Sequence, residues 1–261
     1  MITSLQNQRI KDVIKLDKPR ERRKRELFVI EGVRELSLAI SSDYTICELF
    51  VCEELLSSDG KSLVDSSGIL YDTVSVDVFN KMAYRDESDG IIALSVASHL
   101  TLNSLRLSEN PLLIVLESLE KPGNLGAILR TSDAAGVDAI LVCDPKTDIY
   151  NSNIIRSSLG TIFTQQVVAC TSIDAKDWLN SKSISIVTSQ IDADKYYHET
   201  DLTRPTAFIM GTETKGLTDF WIRHADDSIK IPMFGKVDSL NVSVSTAVIV
   251  FEAVRQRNIV Y

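Results

Sequence analysis

From residue 112 onward the chain repeats one unit, a short apolar run followed by a turn and a stretch of helical spacing. The runs are "LLIVLE" (112–117), "VDAILVCD" (137–144), "ISIVTSQ" (184–190), "TAFIMG" (206–211) and "DSIKIPM" (227–233). Between them "KPGNLGAILRTSDAAG" (121–136) and "SIDAKDWLNSK" (172–182) read as helices, and "NVSVSTAVIVFEAVRQR" (241–257) is a long amphipathic segment. A strand with no polar face must be covered on both sides. Such strands alternating with helices predict an α/β fold around a parallel sheet. In sheets of this kind ligands sit beyond the carboxyl ends of the strands. That singles out three loops, those after "LLIVLE", "TAFIMG" and "SIKIPM".

The first hundred residues have a different rhythm. An amphipathic helix over about 4–24 leads into "LFVIEG", a helix "VRELSLAI", the runs "ICELFVC" and "LYDTVS", then "DVFNKMAY" and "GIIALSVA". Short β-branched or aromatic runs alternating with helical spacing predict a separate, small α/β domain. "SHLTLNSLRLSENP" (98–111) is polar, lacks a strong period and ends in Pro111, as a connection does. The predicted organisation is a domain over 1–100, a linker over 101–110 and a second domain over 111–261, long enough together for two real cores.

A net charge of −8 argues at first against nucleic acid as a partner. The charge is uneven, however. Residues 1–32 hold nine Lys or Arg against five Asp or Glu, and Lys18, Arg20, Arg22, Arg23, Lys24 and Arg25 fall within eight positions. A basic helix face is either simply solvated or a patch that tracks phosphates, and composition leaves both open. The N-terminus "MITSLQNQRIKDVIK" lacks the apolar run of a signal peptide, and no apolar stretch approaches membrane-spanning length. Cys47, Cys52, Cys143 and Cys170 lack metal-ligand or disulfide-scaffold spacing, and three histidines form no H-E-x-x-H pattern. A reduced, cytoplasmic, metal-free protein is the expectation.

The three loops are "SLEKPGNLGAILR" (118–130), "GTETKGL" (211–217) and "PMFGKVDSLNVS" (232–243). Each joins glycine to carboxamide, hydroxyl or carboxylate groups, which taken singly is turn chemistry. At the ends of strands of one sheet they would cluster and offer backbone N–H and C=O groups to a small molecule. "PGNLGAILR" lacks the G-x-G-x-x-G of dinucleotide sites, and neither G-x-x-x-x-G-K-[ST] nor G-x-S-x-G occurs. The pattern alone stops at a glycine-rich, three-loop pocket with Asn124 and Arg130 on the first helix.

In order and spacing the loops resemble the three motifs of the SpoU/TrmH family of the SPOUT methyltransferase class. The first motif is Asn124, Gly126 and Arg130, and the second is Gly211, Glu213, Gly216 and Leu217. The third is Ile231 to Met233 followed by Ser239 to Ser243, and the resemblance covers about 107–261. More loosely, "FVIEG" and the basic helix before it resemble the substrate-binding domain of rRNA-modifying members, an RNA-binding fold like that of certain small ribosomal proteins.

The resemblance implies a deep trefoil knot, against the general rule for chains, with S-adenosylmethionine held in it, and a homodimer. It implies cofactor contacts at Met210, Gly211, Ile231, Ser239 and Leu240. The implied reaction is methyl transfer to a ribose 2′-hydroxyl, of rRNA rather than tRNA because of the extra N-terminal domain. The motif-one arginine would act across the dimer interface. A guanidinium is a poor base, so Arg130 is expected to clamp the phosphate beside the target ribose or polarise its hydroxyl. Asn124 and Glu213 would hold that geometry, and Ser239 and Asn241 would shape the pocket. The alternatives are a tRNA ribose methyltransferase, an enzyme modifying a base nitrogen, and an RNA-binding assembly factor without catalysis. Thr212 and Thr214 depart from the family pattern, and Thr214 in place of a second glycine would stiffen the loop and alter substrate fit. Val248, Phe251 and Val254 on the terminal helix face either the core or a second subunit.

Overall fold

The computed structural model describes residues 1–84, 89–146, 148–212 and 215–258. By its contacts the chain forms two compact units, Met1–Ser98 with Asp148–Thr164, and His99–Thr147 with Gln165–Tyr261.

In the first unit the expected helix over 4–24 is two helices, α1 (Gln8–Lys15) and α2 (Pro19–Arg25). Pro19 lacks an N–H and pushes the residue before it out of the helical region, and Lys18 is extended (ψ 126°). The chain continues as β1 (Leu27–Glu31), α3 (Val33–Ser41), β2 (Ile46–Val51), α4 (Ser58–Ser67), β3 (Asp72–Thr73), α5 (Val76–Met82) and β4 (Ile91–Val96). Its four-stranded sheet runs β1-β4-β2-β3, with β4 antiparallel to both neighbours and β3 parallel to β2. Ile10 and Val13 of α1 pack with Phe50, Phe79 and Ile92 into one core. The small α/β unit read from the sequence is therefore built on a mixed sheet.

The second unit contains β5 (Leu112–Glu117), α6 (Pro122–Ala135) and β6 (Ala139–Cys143). After β6 the chain visits the first unit as α7 (Ser152–Ser157) and α8 (Thr161–Thr164). It returns as β7 (Val167–Cys170), α9 (Ser172–Ser181), β8 (Ser185–Ser189), β9 (Lys195–Tyr196) and β10 (Thr206–Met210). It ends with α10 (Asp219–His224), β11 (Asp227–Lys230) and α11 (Val242–Asn258). The seven strands are all parallel, in the order β7-β6-β5-β10-β8-β11-β9. Strands β5, β6 and β10 are buried along their whole length, as their apolar runs require. β10 lies between β5 and β8, pairing Met210 with Leu116 and Ile209 with Thr188. The carboxyl ends of these three strands are thus neighbours.

Two segments behave differently from their sequence reading. The polar connection is strapped down: Leu102, Leu105 and Leu107 pack on the core of Val115, Leu141, Ile186, Trp178 and Trp221. Asp148–Thr164 lies inside the C-terminal half of the sequence and packs in the first unit. There Tyr150 stacks on Phe28 (centroids 4.2 Å) and donates its hydroxyl to the Ser98 carbonyl (2.6 Å). Burial raises the Tyr150 phenol well above its ordinary range. In α11 the buried side is Val242, Thr246, Ile249, Val250 and Ala253, which pack toward α6 and β10. Val248 and Val254 are half-buried and Phe251 is 47 % exposed, so Phe251 is no core residue of this chain.

Candidate active site

The first motif starts where β5 ends. The buried Glu117 carboxylate accepts hydrogen bonds from Thr218 N (2.8 Å) and Thr218 Oγ1 (2.7 Å), tying this strand end to the end of the second loop. Sequence reasoning did not single out Glu117; the signal was a lone carboxylate closing an apolar strand. Pro122 opens α6, where its missing N–H costs nothing, and Gly136 closes it in the left-handed region (φ 67°). Lys146 Nζ lies 2.6 Å from Glu120 Oε1 and holds that carboxyl below its ordinary range.

Asn124 Oδ1 accepts from Asn241 Nδ2 at 3.2 Å, joining the first motif to the third. Asn241 Oδ1 in turn accepts from Ser243 N (3.0 Å) and Ser243 Oγ (2.6 Å) and so caps the start of α11. One carboxamide therefore serves both the loop junction and the helix.

The second loop is a tight turn. Thr212 and Gly216 exchange backbone hydrogen bonds of 3.1 and 3.0 Å, and Gly216 is left-handed (φ 64°). Thr212 Oγ1 accepts from Lys215 N at 3.1 Å, so the departure at 212 supplies a bond that braces the turn. A Cβ on Gly211 would stand 2.3 Å from the carbonyl carbon of Gly216, a distance no side chain allows. Glu213 and Thr214 lie outside the described residues.

Beside this turn is a cavity of about 540 Å³, within the usual range for small-ligand sites. Met210, Gly211, Ile231, Ser239 and Leu240, the five expected cofactor contacts, all line it. Leu217, Met233 and Val242 extend its apolar wall, while Lys215, Asp192 and Asp238 add charge. Such a lining suits a ligand with a flat apolar ring and a charged end, and S-adenosylmethionine has both. The expected convergence of three loops needs one correction. The first loop does not line the cavity and is joined to the third by the Asn124–Asn241 bond. A loop that sequence reasoning passed over, Ser189–Asp192 after β8, takes its place in the wall. It lacks glycine, and only its position at a strand end could have drawn attention to it.

Arg130 is exposed, does not line the cavity and makes no hydrogen bond or ion pair among the described residues. Six residues along a helix turn by about 240°, so Asn124 and Arg130 leave α6 on different faces.

The basic cluster also needs a correction. Lys18, Arg20, Arg23 and Lys24 are exposed, and Arg25 is half-buried against Asp12 and Glu21. Arg22 is 4 % exposed: its Nε meets Asp148 Oδ2 at 2.7 Å and its Nη1 donates to the carbonyls of Leu16 and Asp17. Its guanidinium is buried to bind the 148–164 segment to α2, not to meet phosphate. Among the described residues no helix is long and apolar enough to cross a membrane, and no metal-ligating cluster occurs.

Comparison with known proteins agrees with this geometry. Residues 111–251 match the SpoU rRNA methylase family, and residues 7–93 match the MRM3-like substrate binding domain. The chain is 30% identical to the 23S rRNA (guanosine(2553)-2′-O)-methyltransferase RlmP of Bacillus subtilis (strain 168), over 96% of this chain and 97% of that one. A crystal structure of an RNA 2′-O ribose methyltransferase is 37% identical and superposes with a TM-score of 0.88 over 99% of each chain. The SpoU methyltransferase AviRb from Streptomyces viridochromogenes, solved with AdoMet, superposes with a TM-score of 0.89 at 26% identity, over 97% of this chain and 98% of that one. With residues of its second and third motifs around one cavity at the end of a parallel sheet, and matched along nearly its whole length, this chain belongs to the SpoU rRNA methylase family.

Proposed function

We propose that the protein transfers a methyl group from S-adenosylmethionine to a ribose 2′-hydroxyl of ribosomal RNA. The observation that carries this reading is the cavity beyond β10 and β11, walled by motif-two and motif-three residues together. Two of the relatives named above are described as RNA 2′-O-methyltransferases, one of them of 23S rRNA.

Met210, Ile231, Leu240 and the Gly211 backbone would hold the cofactor's adenosine, and Asp192 and Asp238 would face its cationic end. When bound, the cofactor supplies a methyl group already activated by a sulfonium. The protein's task is then to orient the hydroxyl for in-line attack and to exclude water. Asn124, fixed by Asn241, sets the start of α6 and with it the direction in which Arg130 leaves the helix. Arg130 clamps the phosphate beside the target ribose in the site of a second subunit, a role supported by its absence from its own cavity wall. Ser239 would help shape the pocket, and Glu213, which lies outside the described residues, would help hold the substrate geometry. The exposed side of α11 with Phe251 would meet the second subunit of the homodimer. The C-terminal part of this domain would form the trefoil knot that the family resemblance implies.

Residues 1–100 would bind the RNA substrate, with Lys18, Arg20, Arg23 and Lys24 on its phosphates. Residues 111–261 would form the catalytic domain. A ribosomal substrate is met in the cytoplasm.

Incubation with tritiated S-adenosylmethionine and unmodified 23S rRNA, 16S rRNA and tRNA transcripts tests the reading. Label in rRNA at a nucleotide resistant to alkaline cleavage is expected, because a 2′-O-methyl blocks that cleavage. Label confined to tRNA, or a labelled site that alkali still cuts, would refute it.

A further inference from the structure

The third loop carries an aromatic ring that the fold leaves unused. Phe234 is 96 % exposed, whereas Tyr84, the next most exposed aromatic among the described residues, is 51 % exposed. Met233 before it and Asp238 and Ser239 after it line the cavity, so Phe234 stands at the cavity rim. Lys236, two residues on, is exposed and has no ion pair among the described residues. A bare phenyl ring, a free ammonium and a methyl-donor cavity within a few residues suit a polyanion that carries flat rings.

We infer that Phe234 stacks on the base of the nucleotide being methylated, with Lys236 on a neighbouring phosphate. The inference rests on the proposed activity and deepens it. The 2′-oxygen and the base are attached to adjacent carbons of the sugar. Any ribose whose 2′-hydroxyl reaches a methyl donor in this cavity therefore brings its base to the rim. In folded RNA that base is stacked on its neighbours, and drawing the sugar into a protein site breaks the stack. An aromatic ring at the rim replaces what is lost, and it does so for any base because every base has a flat face. Phe234 is thus a positioning residue for the substrate and takes no part in proton or methyl transfer.

The test uses the full-length protein, tritiated S-adenosylmethionine and unmodified 23S rRNA transcript. Phe234→Ala is expected to raise KM for the RNA roughly tenfold or more. Affinity for S-adenosylmethionine, measured by calorimetry, and oligomeric state, measured by sedimentation, should both stay unchanged. Phe234→Trp should restore the wild-type KM. A short RNA spanning the mapped nucleotide with its base removed keeps the 2′-hydroxyl, and on it wild type and Phe234→Ala should be equal. An unchanged KM for Phe234→Ala in an active enzyme overturns this inference alone, as does a penalty that persists on the abasic RNA. A change of oligomeric state overturns it in favour of packing against a second copy. Wild-type protein that transfers no label overturns the proposed activity and this inference with it.

Discussion

Helices α2 and α6 both open on a proline, lack a side-chain cap and carry an arginine that sequence reasoning assigned to RNA. In α2 Arg22 sits among four other cations, 4 % exposed, bonded to Asp148 and to two carbonyls. In α6 Arg130 stands alone in an apolar helix, exposed and without an ion pair among the described residues. Charge density pointed to the first and spacing to the second. Density failed for Arg22 because a run of basic residues says nothing about which one faces inward. Spacing carries different information, because it specifies a turn, a helix and a position on it together.

The largest effect that would break this contrast is expected at Arg22. Arg22→Ala leaves Asp148, 11 % exposed, without its buried partner and should cost about 3 kcal/mol or more of stability. Urea unfolding measures it, and methyl transfer by the fraction still folded should persist. A loss under about 1 kcal/mol would mean that Arg22 is no different from a solvated cation.

Next is Arg130→Lys, which keeps the charge and loses the planar fork. Turnover on rRNA should fall on the order of a hundredfold with stability unchanged. Full-rate methylation with unchanged RNA affinity would sink the clamp.

The smallest effect concerns Asp12, which ties another member of the basic cluster. Hydrogen bonds from Lys15 and Arg25 hold its carboxyl down at about 2, against an ordinary value of 3.8. A carboxylate depressed in the folded state contributes stability above its unfolded value and loses it as pH falls through the folded one. Acidification from about pH 4 to about pH 2 should therefore release Arg25 and soften the α1–α2 junction. Asp12→Asn should flatten that part of the stability-versus-pH curve. An unchanged curve would leave Arg25 as free as Arg23.

The parallel sheet was legible because a strand such as Leu112–Glu117, apolar on both faces, has one kind of home. The cavity lining of motifs two and three was legible through the family resemblance, which rests on Gly211 and on the run from Ser239 to Ser243. The break at Pro19 was legible in principle, and amphipathic spacing on either side masked it. Ser189–Asp192 was not legible, since no residue type marks it and only the placement of β8 beside β10 brings it to the wall.

By itself the sequence determined the apolar strands of the parallel sheet, the helices that begin at Pro122 and after Asn241, and which residues carry the motifs. These depend on periodicity and on local backbone geometry, which neighbours in the chain control. Only the tertiary structure decided that Asp148–Thr164 belongs with the first unit, that Arg22 turns inward to meet it, and that Asn124 bonds Asn241 across 117 residues. Those choices depend on which distant groups share a buried space, and no local pattern encodes that.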